Sequence, residues 1–191
     1  LRKKLREINK FNKIKEPNLL SYLDLVALGT VCDVVELKQY NRLFVKKGLE
    51  LIHKRYHRGI AKLIDNSKMS STPTSQDLGF IVGPQINAAS RIDDSSLASK
   101  LLISNDIEQI ESISRKLFLL NEKRKLIESQ ILEDANNQAI NQSNSNIILV
   151  FGKNWHQGVL GIVASKIKDI YYKPTIVISF TNNIGIGSAR S

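Results

Sequence analysis

One stripe of apolar residues constrains the fold of this chain more than any other feature. Because an α-helix has 3.6 residues per turn, apolar side chains at alternating three- and four-residue steps lie on one helix face. The chain follows this spacing, with the polar Arg124 filling one step, at Ile110, Ile113, Leu117, Leu120, Ile127 and Ile131. The sequence predicts one long amphipathic helix over residues 106–139, with Asn105 and Glu108 as an N-terminal cap pair. Such a stripe suits either a coiled-coil partner or a helix that connects two domains.

The chain changes character after the polar tract at residues 141–146, which is the clearest domain boundary in the sequence. A strand (147–151), a helix (159–170) and a second strand (175–180) are predicted next. A turn at Asn182-Asn183 then leads into a final strand from Gly185. This alternation predicts an α/β unit that ends in a hairpin.

The residues before the long helix predict several shorter elements. Residues 1–16 predict the end of an amphipathic helix, and residues 21–37 a helical turn that leads into a buried strand. A helix is predicted at 41–65, followed by a loop rich in Ser, Thr and Pro at 65–75. Two short helices are predicted after the loop, at 76–82 and 94–103. The inward-facing residues of that earlier helix are predicted to be Leu43, Val45, Leu49, Ile52 and Leu63.

The charge balance favours a polyanionic partner. Lys and Arg number 28 against 18 Asp and Glu, a formal net charge of +10. Nucleic acid is the first class of partner this suggests and an anionic membrane surface the second, while a solvated basic surface explains the excess equally well. The single cysteine, Cys32, excludes an intramolecular disulfide framework and suits a reducing cytoplasm. With no apolar run of about 20 residues and no initiator Met, the chain is expected to be an internal piece of a longer cytoplasmic protein.

Asp33 is the first candidate for chemistry. It follows the apolar run at the end of the predicted strand, where a carboxylate can ligate a hard cation such as Mg²⁺ or Mn²⁺. The alternative is a capping or turn-forming aspartate.

Small residues surround the second candidate pair, Asn87 and Arg91, and allow a guanidinium to fork onto a phosphate. The alternative here is a loop in which Arg91 pairs with Asp93 or Asp94.

Two further segments have the composition of anion sites. His156 lies between a strand and the start of a helix, where free backbone amides attract phosphate, with Trp155 beside it as a platform for a base. A histidine there can equally be a structural hydrogen-bonding group. The chain then ends with Gly187, Ser188, Ala189, Arg190 and Ser191, in which backbone, hydroxyl and guanidinium donors can hold a phosphate.

Taken in order, these segments resemble the RecJ family of DHH phosphoesterases. Residues 22–35 (YLDLVALGTVCDVV) look like the last phosphoesterase motif of the family, and residues 87–91 (NAASR), 155–165 (WHQGVLGIVAS) and 187–191 (GSARS) look like its later motifs. Four matches in the same order are far more specific than any one of them.

The resemblance implies a 5′-to-3′ exonuclease of single-stranded DNA that acts in DNA repair and recombination with a two-metal Mn²⁺ or Mg²⁺ site. It implies that Asp33 is a metal ligand, that Arg91 lines the DNA path, and that Ser188 and Arg190 belong to the pocket that holds the 5′ end. Asn87, His156 and Ser191 are further candidate DNA- or phosphate-binding residues. Residues 1–94 would be the C-terminal part of the DHH domain, 95–144 the connecting region, and 145–191 the start of the DHHA1 domain. The implied partners are single-stranded DNA and a single-stranded-DNA-binding protein, with no membrane.

The sequence departs from this family in ways that bear on activity. Cys32, Glu36, Ser90 and Ala189 stand where alanine, proline, glycine and glycine are common, and a β-carbon at Ala189 could narrow the phosphate pocket. The Asp-His-His signature and the early aspartate motifs are absent. Since two-metal hydrolysis needs several carboxylates and a histidine, the chain alone is expected to be inactive. Rival hypotheses are a non-catalytic DNA-binding or interaction protein, and a DHH phosphoesterase that acts on small nucleotides.

Overall fold

A computed structural model describes residues 1–67, 69, 72–142 and 144–191, which form a helix-rich α/β fold with one small mixed sheet. This confirms the predicted fold class. No helix in the described ranges is both long enough and apolar enough to span a bilayer. The numbered helices are α1 (Arg2–Glu7), α2 (Leu23–Cys32), α3 (Gln39–His53), α4 (Arg58–Asn66), α5 (Ser75–Asp77), α6 (Gly83–Ile92), α7 (Ser96–Ile103), α8 (Ile107–Ile140) and α9 (Gln157–Tyr171). The strands are β1 (Ile148–Lys153), β2 (Thr175–Thr181) and β3 (Ile184–Arg190).

The apolar stripe forms one continuous helix, as predicted. α8 has 34 residues, which corresponds to a length of about 50 Å. Its N-cap is Asp106, whose carboxylate accepts hydrogen bonds from the backbone N–H groups of Glu108 (2.9 Å) and Gln109 (3.3 Å). The predicted cap at Asn105 is therefore wrong by one residue, because the side chain that reaches these N–H groups is that of Asp106.

α8 passes through two separate hydrophobic cores. Its first half packs against α4, α6 and α7 and contributes Ile110, Ile113 and Leu117 to a core to which α2 and α3 also contribute residues. Its second half packs Ile131 and Ala135 against α9 and the sheet. The stripe is thus buried by the chain's own elements, as expected of a connecting helix and not of a free coiled-coil strip.

The sheet has the strand order β1-β2-β3, with β1 and β2 parallel and β2 and β3 antiparallel. α9 connects the parallel pair and packs against β2 and β3. The hairpin turns at Asn182 and Asn183, whose φ angles of 51° and 61° suit a two-residue turn. The predicted strand–helix–strand–hairpin order is confirmed.

The predicted strand within residues 21–37 is wrong, because that segment forms α2. Ala27 and Leu28 are buried against α3, and the three described strands all follow residue 147. The β-branched residues of the run favour a strand locally, but a strand without a hydrogen-bonded neighbour is not stable, whereas a helix satisfies its own backbone.

The predicted helix at 41–65 is two helices. α3 ends at His53 and α4 begins at Arg58, with Arg55 between them in the left-handed region (φ 57°). Leu43, predicted to face inward, is 50% exposed. α1 has only six residues, none of them buried, so the predicted amphipathic helix over residues 1–16 is mostly absent.

A π-helix, Leu78–Val82, joins α5 to α6. The predicted helix at 76–82 is confirmed, and it continues into α6, so Asn87 and Arg91 are helical and not in a loop. The predicted helix at 94–103 corresponds to α7. Lys68, Ser70 and Ser71 of the predicted loop, and Ser143 of the polar tract, lie outside the described residues.

Candidate functional site

Three of the four predicted segments meet at the N-terminus of α9. The Arg91 guanidinium, in the last turn of α6, donates a hydrogen bond from Nη1 to the Gly158 carbonyl oxygen (3.2 Å). The backbones approach so closely that a Cβ on Gly158 would lie 2.0 Å from the Arg91 carbonyl oxygen. A glycine at position 158 is therefore required for α6 to reach α9.

β3 brings the third segment to the same helix turn. Ser188 and Arg190 pair across the sheet with the buried Val177 and Thr175, so their side chains lie on the face that α9 covers. A Cβ on Gly161 would lie 2.8 Å from Arg190 Nη2 and 3.2 Å from Ser188 Oγ. Arg190 Nη1 donates to Ser188 Oγ (3.1 Å) and to the Ala189 carbonyl oxygen (2.6 Å). The Ser188 hydroxyl and the Arg190 guanidinium thus lie over the first turns of α9.

His156 is the N-cap of α9. Its Nδ1 accepts a hydrogen bond from the Gly158 N–H (3.2 Å), which requires an unprotonated Nδ1 and places the ring proton of neutral imidazole on Nε2. Nδ1 thus has the structural role that the sequence offered as one interpretation, and the role of Nε2–H as a donor to an anion stays a prediction. Trp155 packs against Gly152, where a Cβ would lie 2.1 Å from the indole, and against the second core, which favours a structural role for the indole.

The electrostatics of this region favour an anion. Burial lowers the pKa of Arg91, the neighbouring Arg124 and Arg190 lower it further, and Glu128 opposes them. Since arginine remains protonated in proteins, Arg91, Arg124 and Arg190 form a group of positive charges that act on one another, which we call the arginine cluster. The α9 N-terminus adds the positive end of its dipole, while its Gly158 and Val159 N–H groups are already bonded to His156.

The alternative in which Arg91 pairs with the following aspartates is wrong. Asp93 instead forms an ion pair with Lys116 of α8 (2.8 Å). Asp94 accepts hydrogen bonds from the backbone and hydroxyl of Ser96 at the start of α7. Neither aspartate therefore neutralises the Arg91 guanidinium, which stays available for an anionic ligand.

Asn87 and Ser191 have less defined surroundings. Asn87 is exposed on α6 four residues before Arg91, so the two side chains share a helix face. Ser191 is exposed and follows the end of β3. Their assignment to the DNA-binding residues remains a prediction.

Asp33 is separated from the arginine cluster. It is the exposed C-cap residue of α2, where the carbonyl ends of the helix also favour a cation. The neighbouring Cys32 lies against Gly83 at the start of α6, and burial, followed by the charge of Asp33, raises the pKa of its thiol. Arg91 is at the other end of α6, about 12 Å further along the helix axis.

The described residues contain no group of three or more His, Cys, Asp and Glu side chains that could hold a metal ion. As an exposed carboxylate at a helix C-terminus, Asp33 fits the role of a single oxygen ligand for Mg²⁺ or Mn²⁺ and does not complete a site.

Asp24, in the first turn of α2, is a buried carboxylate. It is 1% exposed; its Oδ1 accepts a hydrogen bond from the Leu25 N–H (2.8 Å), and Oδ2 has no partner among the described residues. Nine residues of helix separate it from Asp33, about 13 Å, so the two cannot ligate one ion. Its place within the apolar run was the one signal of burial in the sequence.

No protein-family model matches the chain. Curated proteins, however, are similar to it in sequence. The single-stranded-DNA-specific exonuclease RecJ of Haemophilus influenzae is 40% identical over 200 residues, which cover 100% of this chain and 35% of that protein. The RecJ of Bacillus subtilis is 35% identical over 173 residues, which cover 88% of this chain and 22% of that protein. The chain thus spans about a third or less of the length of these relatives.

Solved structures show the same relationship. RecJ of Thermus thermophilus in complex with Mg²⁺ has a TM-score of 0.79 at 31% identity and covers 88% of this chain and 27% of that one. An exonuclease RecJ bound to manganese has a TM-score of 0.83 at 31% identity and covers 95% of this chain and 45% of that one. By sequence and by fold, the chain belongs to the RecJ family of exonucleases.

Proposed function

We propose that this chain supplies the DNA-end-binding part of an exonuclease that removes nucleotides from the 5′ end of single-stranded DNA. One observation supports this most directly: Arg91, His156, Ser188 and Arg190, from segments up to about a hundred residues apart, meet at the N-terminus of α9. Helix amides, a neutral imidazole donor and guanidinium groups are the donors that bind a phosphate.

Each donor has a separate role in this proposal. The first-turn α9 amides that His156 does not engage and the His156 Nε2–H bind phosphate oxygens, and Arg91 neutralises their charge. Arg190 is held over α9 by its bonds to Ser188 and Ala189, so it meets the phosphate in a preset orientation. Together these groups hold one phosphate of the strand in a defined position.

In this proposal Asp33 is one ligand of the Mn²⁺ or Mg²⁺ site that the related structures contain. When bound, such ions activate water and stabilise the charge that develops on a phosphodiester. Residues 1–94 then correspond to the DHH domain, 95–144 to the connecting region and 145–191 to the start of DHHA1. The other ligands would come from family motifs that this sequence lacks, so we expect the 191-residue chain to bind single-stranded DNA and to cleave none.

The test is a binding titration of the chain with a 12-mer single strand that carries a 5′ phosphate and a 3′ fluorophore. We expect Kd to rise with salt, since log K for single strands falls with log salt by about 0.7 per phosphate contact. Arg91→Ala should weaken binding and lower this slope. Arg115→Ala is the matched control, because Arg115 is a 73% exposed arginine of α8 outside the site. Equal effects of the two substitutions would reject the proposed site.

Incubation of the same oligonucleotide with the chain and Mn²⁺ tests the second half of the proposal. Release of nucleotides would show that the chain holds a complete metal site and would contradict the role of Asp33 as a single ligand. In the binding titration, a dinucleotide measured beside the 12-mer separates this function from that of a small-nucleotide phosphoesterase, which would bind the dinucleotide more tightly.

A further inference from the structure

A buried carboxylate lies between the two hydrophobic cores, beside the arginine cluster. Glu128 of α8 is 6% exposed, and both of its oxygens are engaged. Oε2 accepts a hydrogen bond from Arg124 Nη1 (2.5 Å), and Oε1 pairs with Lys166 Nζ of α9 (2.6 Å). Glu128 therefore joins α8 to α9, the helix whose N-terminus forms the candidate site.

Arg124 is held on two sides. Its Nε and Nη2 donate to the Asn121 side-chain oxygen at 3.2 and 3.1 Å, while Nη1 contacts Glu128. Asn121 is itself only 4% exposed. Because all three guanidinium nitrogens are engaged by buried partners, Arg124 has a fixed position and contributes its charge to the site more than its hydrogen bonds.

Arg124 is also the residue that interrupts the apolar stripe of α8. An aliphatic side chain at that step would have extended the core, and burying an arginine carries a desolvation cost unless it is paired. The polar step coincides with the position where α8 passes the arginine cluster, since Arg124 and Glu128 both act electrostatically on Arg91.

The charges explain why a carboxylate is needed here. Arg124 and Lys166 contact Glu128 directly. Among the described residues Glu128 is the one anion that acts on the Arg91 guanidinium, where it opposes the charges of Arg124 and Arg190. Like charges in a partly buried region repel strongly, and a fixed counter-ion reduces that repulsion. One carboxylate leaves a surplus of positive charge that an exchangeable phosphate can neutralise.

We propose that Glu128 is a positioning residue for the phosphate site. With Asn121 it holds Arg124 in place, and through Lys166 it holds α9. The charge of Arg124 and the dipole of α9 are thereby directed at a phosphate bound beside Arg91. This rests on the proposed DNA-end binding. It assigns a role in DNA binding to the side chains of Glu128 and Asn121, which need not contact DNA.

Glu128→Gln tests the proposal by the sign of its effect. The substitution keeps the shape of the side chain and raises the net charge of the chain from +10 to +11. Charge alone then predicts tighter DNA binding. Loss of positioning predicts about tenfold weaker binding to the 5′-phosphorylated 12-mer, which corresponds to about 1.4 kcal/mol, and a smaller salt slope.

Glu122→Gln is the matched control. Glu122 is on the same helix, pairs with Lys125 at 2.8 Å, and is 46% exposed, so its substitution makes the same charge change without disturbing the buried network. We expect Glu122→Gln to leave binding unchanged or slightly tighter. Tighter or unchanged binding by Glu128→Gln, at an equal folded fraction, would overturn the positioning role.

A second variant addresses the stability of the buried pair. Removing one partner leaves an unpaired buried charge and can unfold the chain, whereas replacing both partners with apolar residues is often tolerated. The double variant Arg124→Met, Glu128→Leu keeps the net charge at +10 and should remain folded but bind DNA about tenfold more weakly. Unchanged affinity in this folded variant would refute the proposal.

Arg91→Ala, measured in parallel, separates the two levels of inference. If Arg91→Ala does not weaken binding, the proposed function itself fails. If Arg91→Ala weakens binding while the two Glu128 variants do not, the site stands and the positioning role alone is refuted.

Discussion

His156 caps α9 and, in the proposed function, also binds phosphate; two substitutions should separate these two roles. The ring caps α9 through Nδ1, at 3.2 Å from the Gly158 nitrogen, and presents Nε2–H. His156→Ala removes both functions. His156→Asn keeps a good capping side chain but has no donor at the position of Nε2.

The magnitudes follow from these contacts. Loss of an N-cap costs about 1 kcal/mol of unfolding free energy. Loss of a hydrogen bond to a charged phosphate costs about 1.5–3 kcal/mol, or roughly 10- to 100-fold in Kd. His156→Ala should therefore be less stable and bind DNA more weakly, whereas His156→Asn should be nearly as stable as the parent and bind as weakly as His156→Ala.

Urea unfolding followed by circular dichroism measures stability, and fluorescence anisotropy of the 5′-phosphorylated 12-mer measures affinity. If His156→Asn recovers both stability and affinity, the ring is only a cap. If neither variant loses affinity, the phosphate does not lie at the α9 N-terminus.

Three further predictions concern the framework of the site. Gln138 of α8 and Gln142, two residues after its end, each donate to and accept from the free edge of β1, at Phe151 and Leu149. The double alanine variant should therefore lose about 2–4 kcal/mol for four hydrogen bonds and expose a strand edge to aggregation. Urea unfolding against the exposed Gln130→Ala checks this, and equal losses would contradict it. Gly158→Ala places a Cβ 2.0 Å from the Arg91 carbonyl oxygen and should lower the free energy of unfolding by about 1–3 kcal/mol and weaken DNA binding. Gly29→Ala, with nothing within 4 Å of the added Cβ, should be neutral or stabilising in the same assays. Similar results for the two variants would refute the close approach of α6 to α9. The hydrogen bond from Lys116 lowers the pKa of Asp93. This carboxylate therefore stabilises the fold above its ordinary pKa near 3.9, and the contribution disappears as pH falls through the lowered value. Asp93→Asn should flatten the fall of the unfolding midpoint below about pH 4, and an unchanged dependence of that midpoint on pH would show that the pair adds nothing.

The elements that the sequence predicted well carry their signal locally. The stripe of α8 repeats through six steps, and the Asn182-Asn183 turn lies between two β-branched runs, so each pattern needs no knowledge of distant residues. The cap of α8 shows the limit of this accuracy. Asn105 and Asp106 are both good capping residues, and only the backbone geometry of the turn selects Asp106.

The elements predicted wrongly depend on distant partners. Val31 in α2, and Val34 and Val35 just after it, favour a strand. The segment nevertheless has no neighbouring strand among the described residues, and it packs Ala27 and Leu28 onto α3. The break between α3 and α4 depends on His57, whose Nε2 lies 2.8 Å from the Leu102 carbonyl oxygen while Nδ1 caps α4. A contact across 45 residues has no local signature in the sequence.

By itself, the sequence determined the long helix, the order of elements after it and the family resemblance, because periodicity and ordered motifs can be read along the chain. Only the tertiary structure decided that Arg91, His156, Ser188 and Arg190 share one site while Asp33 lies apart from it at the other end of α6. It also decided that Arg124, the polar residue that interrupts the apolar stripe, is held by Asn121 and Glu128. The physical reason is that close approaches such as that of Gly158 to Arg91 join segments far apart in the chain, and packing of the whole fold sets them.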